Sequence, residues 1–197
     1  GPQVMTTANK ITIFRILLVP FFVTQVIYYV QAGIEYHRLL ALFAFALASI
    51  SDGIDGYIAR RYNQRSELGA ILDPLADKLL LVSGVILLSF NNEPYLPQLP
   101  LWVVAMILSR DMLLLIGLAV IYYTCGRVVV KPVWVGKIAT VLQMVCVVWG
   151  LFKWSDHWLL IWSVGATAFT GISGLIYVFD GVRQLSASPT SGPAPRQ

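Results

Sequence analysis

Four aspartates lie within a short stretch of the chain, between long apolar segments. They are Asp52, Asp55, Asp73 and Asp77. A carboxylate close to lipid is energetically costly, so acids in this position indicate a functional site. The stretch from 51 to 78 contains neither Cys nor His, so its acidic ligands offer only oxygen. Oxygen ligands of this kind suit magnesium, manganese or calcium rather than zinc.

Helical periodicity predicts how these acids are positioned. On a first helix, positions i, i+3, i+4, i+7 and i+8 share one face. The residues on that face are Asp52, Asp55, Gly56, Ala59 and Arg60. Asp73 and Asp77 are i, i+4 on a second helix and also share a face. The polar segment 61–66 predicts a short turn, which makes the two helices antiparallel neighbours and lets the acidic faces meet.

Four converging carboxylates repel one another unless positive charge lies among them. Two divalent cations, about 3.5–4 Å apart, would clamp a phosphate or diphosphate and stabilise a displacement at phosphorus. Arg60 would pair with the phosphate oxygens. Two other interpretations are solvated loop acids and a cation pathway in a transporter. The apolar flanks argue against the first, and the clustering of the acids at one end argues against the second.

The composition is that of a membrane protein. Of the 197 residues 57% are hydrophobic and 12% are charged, whereas a soluble domain carries about 25% charged residues. Because about 20 apolar residues cross a bilayer, the sequence predicts six spans. They are Ile11–Val30, Leu39–Ile58, Leu68–Phe90, Leu101–Tyr123, Val133–Phe152 and Trp158–Phe179. We therefore expect an all-α integral membrane bundle of six transmembrane helices, with a polar cavity at the cytoplasmic side.

The distribution of Lys and Arg predicts the orientation. With the N-terminus inside, the basic residues of the loops and span ends, Arg15 among them, collect on one side, and the other side has only Arg38 and Lys153. This bias predicts that both termini are cytoplasmic. The net charge of +4 does not indicate a nucleic-acid partner, because the basic residues flank apolar spans that contact the lipid bilayer.

We expect one transmembrane domain over 11–182. The N-terminal tail 1–10 precedes it, and its first two residues, Gly-Pro, resemble a protease-cleavage remnant. The tail 183–197 is rich in Ser, Pro and Gly, so we expect it to be disordered.

The acidic stretch resembles the signature of the CDP-alcohol phosphatidyltransferase family. The signature reads Asp52-x-x-Asp55-Gly56-x-x-Ala59-Arg60, then eight residues, then Gly69-x-x-x-Asp73-x-x-x-Asp77, and every position is present. The resemblance implies that the four acids bind two divalent cations, Mg2+ or Mn2+, which hold the diphosphate of a CDP-linked lipid. It implies that Asp77 is the catalytic base. The CDP-binding residues that it implies are Asp52, Gly56, Ala59, Arg60 and Gly69.

A second, basic group of residues bears on the acceptor. Arg110 lies beside Asp111 in the fourth span, Lys137 opens the fifth, and Arg127 and Lys131 precede it. An arginine inside the membrane needs a partner, so Arg110 either forms a structural ion pair or contacts an acceptor phosphate. Lys137 is either a snorkelling interfacial lysine or part of the same site. Together the four residues would form a basic acceptor pocket next to the metal site.

The subgroup of the family depends on this basic region. Phosphatidylglycerophosphate synthases commonly carry Arg-Glu in the fourth span and a second lysine in the fifth, whereas this chain has Arg110-Asp111 and Ala139. The region resembles cardiolipin synthases more closely, on Ser109-Arg110-Asp111 and on Lys131-Pro132 with Lys137, Thr140 and Gln143. This resemblance implies that a phosphatidyl group passes from CDP-diacylglycerol to phosphatidylglycerol with release of CMP, in a bacterial inner membrane. Glycerol 3-phosphate is the alternative acceptor. A UbiA-type prenyltransferase is more remote, because it calls for more spans and a different Asp spacing.

The sixth span carries small residues at close helical spacing. They are Gly165, Ala168, Gly171 and Gly174. Small residues let helix backbones approach closely. The pattern is interpreted as packing within the chain, with a homodimer contact as the alternative.

Overall fold

The computed structural model describes residues 7–61, 67–125 and 133–187; of 7–9, 55–56, 58–60, 67–75 and 125 it describes only the backbone. Regular structure in these ranges consists of six helices and no strand. They are α1 (Thr7–Ala32), α2 (Glu35–Arg61), α3 (Glu67–Ser89), α4 (Leu101–Cys125), α5 (Trp134–Phe152) and α6 (Asp156–Ser186). The predicted all-α fold is confirmed. Most helix ends fall within a few residues of the predicted spans, but α6 continues beyond both Phe179 and the predicted domain end at 182.

Five of these helices are long and apolar enough to cross a membrane. The five segments are Lys10–Ala32, Glu35–Ile54, Leu101–Thr124, Trp134–Phe152 and Asp156–Ser186. In α3 the side chains are described only from Ala76 onward, and its sequence carries Asp73, Asp77 and Lys78. The chain is thus a multi-pass membrane protein whose second and third helices share the charges of the motif.

The helices divide between two compact units. The units comprise Gly1–Leu99 with Val147–Asp156, and Pro100–Cys146 with His157–Gln197. In the first unit α1 packs against both α2 and α3. Phe22 of α1 and Phe45 of α2 are buried, with ring centroids 5.7 Å apart. Helix α1 therefore lies against both helices that carry the acidic motif.

The turn between α1 and α2 depends on Gly33. Its φ of 70° is in the left-handed region, which favours glycine. Its amide donates to the carbonyl of Tyr29 at 2.8 Å, closing the last turn of α1. A Cβ at this position would lie 2.7 Å from Tyr95 Cε1. Gly33 thus fixes where α1 ends and how α2 returns beside it.

In the second unit, polar contacts and small residues hold α6. The fully buried Gln143 of α5 donates to Thr170 of α6 at 2.9 Å. A Cβ added to Gly174 would lie 3.4 Å from Arg110 Cγ of α4, and one added to Gly171 would lie 3.7 Å from Met106. These small residues of α6 therefore pack inside the unit, as predicted. The homodimer contact stays a prediction.

Candidate active site

Two acids of the motif, from different helices, contact one side chain of α1. Arg15 Nη1 donates to Asp52 Oδ1 of α2 at 2.5 Å and to Asp77 Oδ1 of α3 at 2.9 Å. Because both oxygens contact the same nitrogen, they lie no further apart than these two distances together. The acid-bearing helices thus converge at this pair. We call the contact among Arg15, Asp52 and Asp77 the Arg15 clamp.

The clamp has a buried side and an exposed side. The Arg15 side chain is 1% exposed, whereas those of Asp52 and Asp77 are 42% and 37% exposed. A buried guanidinium is costly unless it is paired and hydrogen-bonded, and the two carboxylates provide that pairing. The cation therefore lies beneath two acids that remain accessible from solvent.

The other signature residues follow the same two helices. Asp55, Gly56, Ala59 and Arg60 lie on α2, and Gly69 and Asp73 lie on α3. Their side chains lie outside the description, but a helical backbone places Asp55 and Asp73 about one turn from Asp52 and Asp77 respectively. Among the side chains that are described, no three His, Cys, Asp or Glu form a group suited to a metal. The four-acid metal site stays a prediction.

The donors of the Arg15 clamp fit a hard divalent cation. Asp52 and Asp77 contribute carboxylate oxygens, and no Cys or His occurs in the motif. The position of the Arg15 guanidinium shows that this pair already stabilises positive charge. Such a donor set is the kind that magnesium or manganese prefers.

A small cavity is lined by residues close in sequence to Arg15 and Asp52. Its volume is about 290 Å³, and the residues around it come from α1 and α2. They are Lys10, Ile11, Phe14, Ser51 and Ile54. Phe14 and Ser51 are the immediate neighbours of Arg15 and Asp52, so space for part of a ligand lies along the same two helices.

The candidate acceptor residue Arg110 is in the second unit and is internally paired. Its side chain is 4% exposed, and Nη2 contacts Asp111 Oδ1 at 3.0 Å. Its Nη1 donates to Ser173 Oγ of α6 at 3.2 Å. The structural ion pair considered from the sequence is therefore present. Arg110 also lines a mostly apolar cavity of about 630 Å³ between α4 and α6, to which Asp180 and Arg183 contribute.

The remaining acceptor candidates lie within residues 127–137. Lys137 is exposed in the first turn of α5, whereas Arg127 and Lys131 lie outside the described residues. Ala139 is fully buried. Its side chain therefore lines no accessible surface in the structure.

Sequence reasoning missed Arg15 as a member of the site. It was counted only among the positive charges that set the orientation. A signal was nevertheless available, because an arginine within an apolar span needs a polar partner. The motif acids of the second and third predicted spans were candidates for that partner.

Comparison with known proteins identifies the class. Residues 5–169 match the family model of CDP-alcohol phosphatidyltransferase. The chain is 38% identical over 192 residues to "Probable phosphatidylglycerophosphate synthase" of Mycobacterium tuberculosis, covering 93% of this chain and 85% of the relative. It is 32% identical over 178 residues to "CDP-diacylglycerol--glycerol-3-phosphate 3-phosphatidyltransferase" of Salmonella typhimurium, covering 90% and 92%. A Shigella flexneri protein of the same name is 32% identical over 181 residues, with the same coverage.

The chain therefore belongs to the CDP-alcohol phosphatidyltransferase family, as its motif predicted. It is an enzyme of a family that is generally dependent on divalent metals. The names of these relatives favour the alternative acceptor over phosphatidylglycerol. The expected cardiolipin synthase subgroup is therefore less well supported than its alternative.

Proposed function

We propose that this enzyme transfers the phosphatidyl group of CDP-diacylglycerol to glycerol 3-phosphate and releases CMP. The observation that carries the chemistry is the Arg15 clamp, which brings Asp52 and Asp77 together from two helices with their carboxylates accessible. The acceptor is inferred from the names of the relatives in Mycobacterium tuberculosis and Salmonella typhimurium.

Asp77 is the proposed base. Its carboxylate takes the proton of the acceptor hydroxyl, whose oxygen then forms a bond to the phosphorus that bears diacylglycerol. The bond from that phosphorus to the CMP oxygen breaks, and CMP leaves. Two divalent cations, Mg2+ or Mn2+, held by the four motif aspartates, would neutralise the diphosphate and the leaving phosphate.

The other motif residues would bind the CDP group. Gly56, Ala59 and Gly69 lack bulky side chains, so the nucleotide can approach the helix backbone closely. Asp52 contributes from the metal cluster, and Arg60 offers a planar donor fork suited to phosphate oxygens. These roles follow from the family signature and the helix placement of each residue.

The acceptor phosphate requires positive charge. We infer that Lys137 supplies part of it, because this lysine is exposed at the start of α5. Arg127 and Lys131 precede it in the chain and would add to the same basic pocket. Arg110 lines the α4–α6 cavity while paired with Asp111, so it would contribute through donors that the pair does not use.

A second candidate acceptor is phosphatidylglycerol. The observation that favours it is the mostly apolar lining of the 630 Å³ cavity beside Arg110. An acyl chain would suit such a surface, whereas glycerol 3-phosphate has no apolar tail. The names of the relatives outweigh this single feature.

The enzyme would work in a bacterial inner membrane with both termini in the cytoplasm. The relatives are bacterial, and the Lys and Arg bias supports the orientation. CDP-diacylglycerol would then keep its acyl chains in the inner leaflet and present its nucleotide to the cytoplasmic side.

The test is an acceptor comparison with purified enzyme, CDP-diacylglycerol and magnesium. We expect phosphatidylglycerophosphate by mass spectrometry when glycerol 3-phosphate is supplied, and a far lower yield of cardiolipin with phosphatidylglycerol. Asp156→Asn changes an acid outside the motif and serves as the matched control for Asp52→Asn, which should be inactive. Cardiolipin as the main product would establish the second candidate, and no CMP release with either acceptor would overturn both.

A further inference from the structure

Arg15 has no part in the reaction as described so far, yet it contacts two of its central acids. Its side chain is 1% exposed and lies on α1, the helix that packs against both α2 and α3. We propose that Arg15 is a positioning residue that holds Asp52 and Asp77 in the geometry that binds divalent cations. This inference rests on the proposed metal site.

Burial argues that Arg15 keeps its contacts when metal binds. A guanidinium that left both carboxylates would lose two of its counter-charges in the interior, and breaking such buried pairing is strongly unfavourable. The carboxylates are 42% and 37% exposed, so cations can reach them from the solvent side. The two acids would therefore hold cations through their exposed oxygens while Arg15 keeps its contacts on the buried side.

The clamp also decides how close the acids can lie. Two carboxylates brought together without a counter-charge repel each other, and each disfavours ionisation of the other. Arg15 Nη1 bridges them at 2.5 and 2.9 Å. Removing its charge would let the acids separate before metal arrives, so the cost appears as weaker metal binding.

The measurement is a Mn2+ titration of the purified full chain, with free Mn2+ followed by its EPR signal. We expect Arg15→Met to raise the half-saturating Mn2+ concentration about 10–100-fold, the range typical for loss of an outer partner of metal ligands. Arg38→Met is the matched control. Arg38 pairs with Glu35 at 2.6 Å and donates to the Leu151 carbonyl at 3.0 Å in the same unit, away from the acids, so its variant should titrate like wild type.

A second variant separates positioning from charge and covers a folding defect. Arg15→Lys keeps the positive charge but replaces a planar fork by a point charge, so we expect Mn2+ binding to weaken about tenfold. Thermal unfolding in chelator reports the fold of each variant. If Arg15→Met does not fold, Arg15→Lys decides the question.

Three outcomes would overturn the inference. Tighter Mn2+ binding by Arg15→Met would make Arg15 a competitor of the metal. Binding unchanged in both Arg15 variants would make its role purely structural. A wild-type enzyme that binds no Mn2+ would overturn the proposed metal site, and this inference with it.

Discussion

Replacing Arg110 by methionine tests whether the buried ion pair of α4 holds the second unit together. The variant keeps the length of the side chain and removes its charge. It breaks contacts with Asp111 at 3.0 and 3.3 Å and with Ser173 at 3.2 Å. Because the Arg110 side chain is 4% exposed, water replaces few of these bonds in the folded state.

The expected loss can be worked out from these contacts. Removing one partner of a buried pair costs about 3–5 kcal/mol. The Asp111 side chain is 15% exposed, so it regains some hydration and the lower end, about 3 kcal/mol, is appropriate. For a chain of this size that loss lowers Tm by roughly 6–12 °C. Ser173→Ala removes a neutral hydroxyl that accepts from Arg110 and donates to the Thr170 carbonyl at 2.8 Å, leaves the pair with Asp111 intact, and should cost about 1.5 kcal/mol.

Thermal unfolding in detergent micelles, followed by intrinsic tryptophan fluorescence, measures both variants. Arg110→Met must unfold well below Ser173→Ala, and Ser173→Ala slightly below wild type. A loss under about 1 kcal/mol for Arg110→Met, the value of an exposed pair, would refute the reasoning. If Arg110 also contacts the acceptor, KM for glycerol 3-phosphate rises in the same variant while KM for CDP-diacylglycerol does not.

Three further predictions concern single positions. Gly33→Ala should lower the free energy of unfolding by at least about 1 kcal/mol, because an L residue is strained at its φ of 70°; chemical denaturation of the variant measures this. Ala139→Lys should lower Tm without shifting acceptor preference, because the lysine side chain would enter a fully buried position. The ratio of kcat/KM for the two acceptors measures the acceptor preference. Asp77→Asn should lose about 10²–10⁴-fold in kcat while retaining CDP-diacylglycerol binding, since the amide oxygen can still accept from Arg15; binding lost in proportion to rate would instead make Asp77 chiefly a metal ligand.

The helices and the family could be predicted from the sequence because both depend on local patterns. Apolar stretches of membrane length predicted six helices, and the structure has them in the ranges it describes. The spacing of Asp52 and Asp77 within the signature predicted that α2 and α3 bring acids together. Each inference needed only the periodicity of one or two neighbouring segments.

The Arg15 clamp could not be predicted in the same way. Arg15 and Asp77 are 62 positions apart in the chain, and their contact depends on how α1 packs against two other helices. Ala139 shows the same limit, because the sequence does not reveal that this position is fully buried. Such contacts depend on packing between helices that are distant in the chain, and a single sequence does not show which residues meet.

Metal-dependent transfer at the acid cluster is tested by the rate of CMP release from CDP-diacylglycerol and glycerol 3-phosphate before and after chelation. Excess EDTA should abolish the reaction and added Mg2+ should restore it, because divalent cations neutralise the diphosphate during displacement. Asp52→Asn should remain inactive after the same addition. An undiminished rate in chelator would contradict the account.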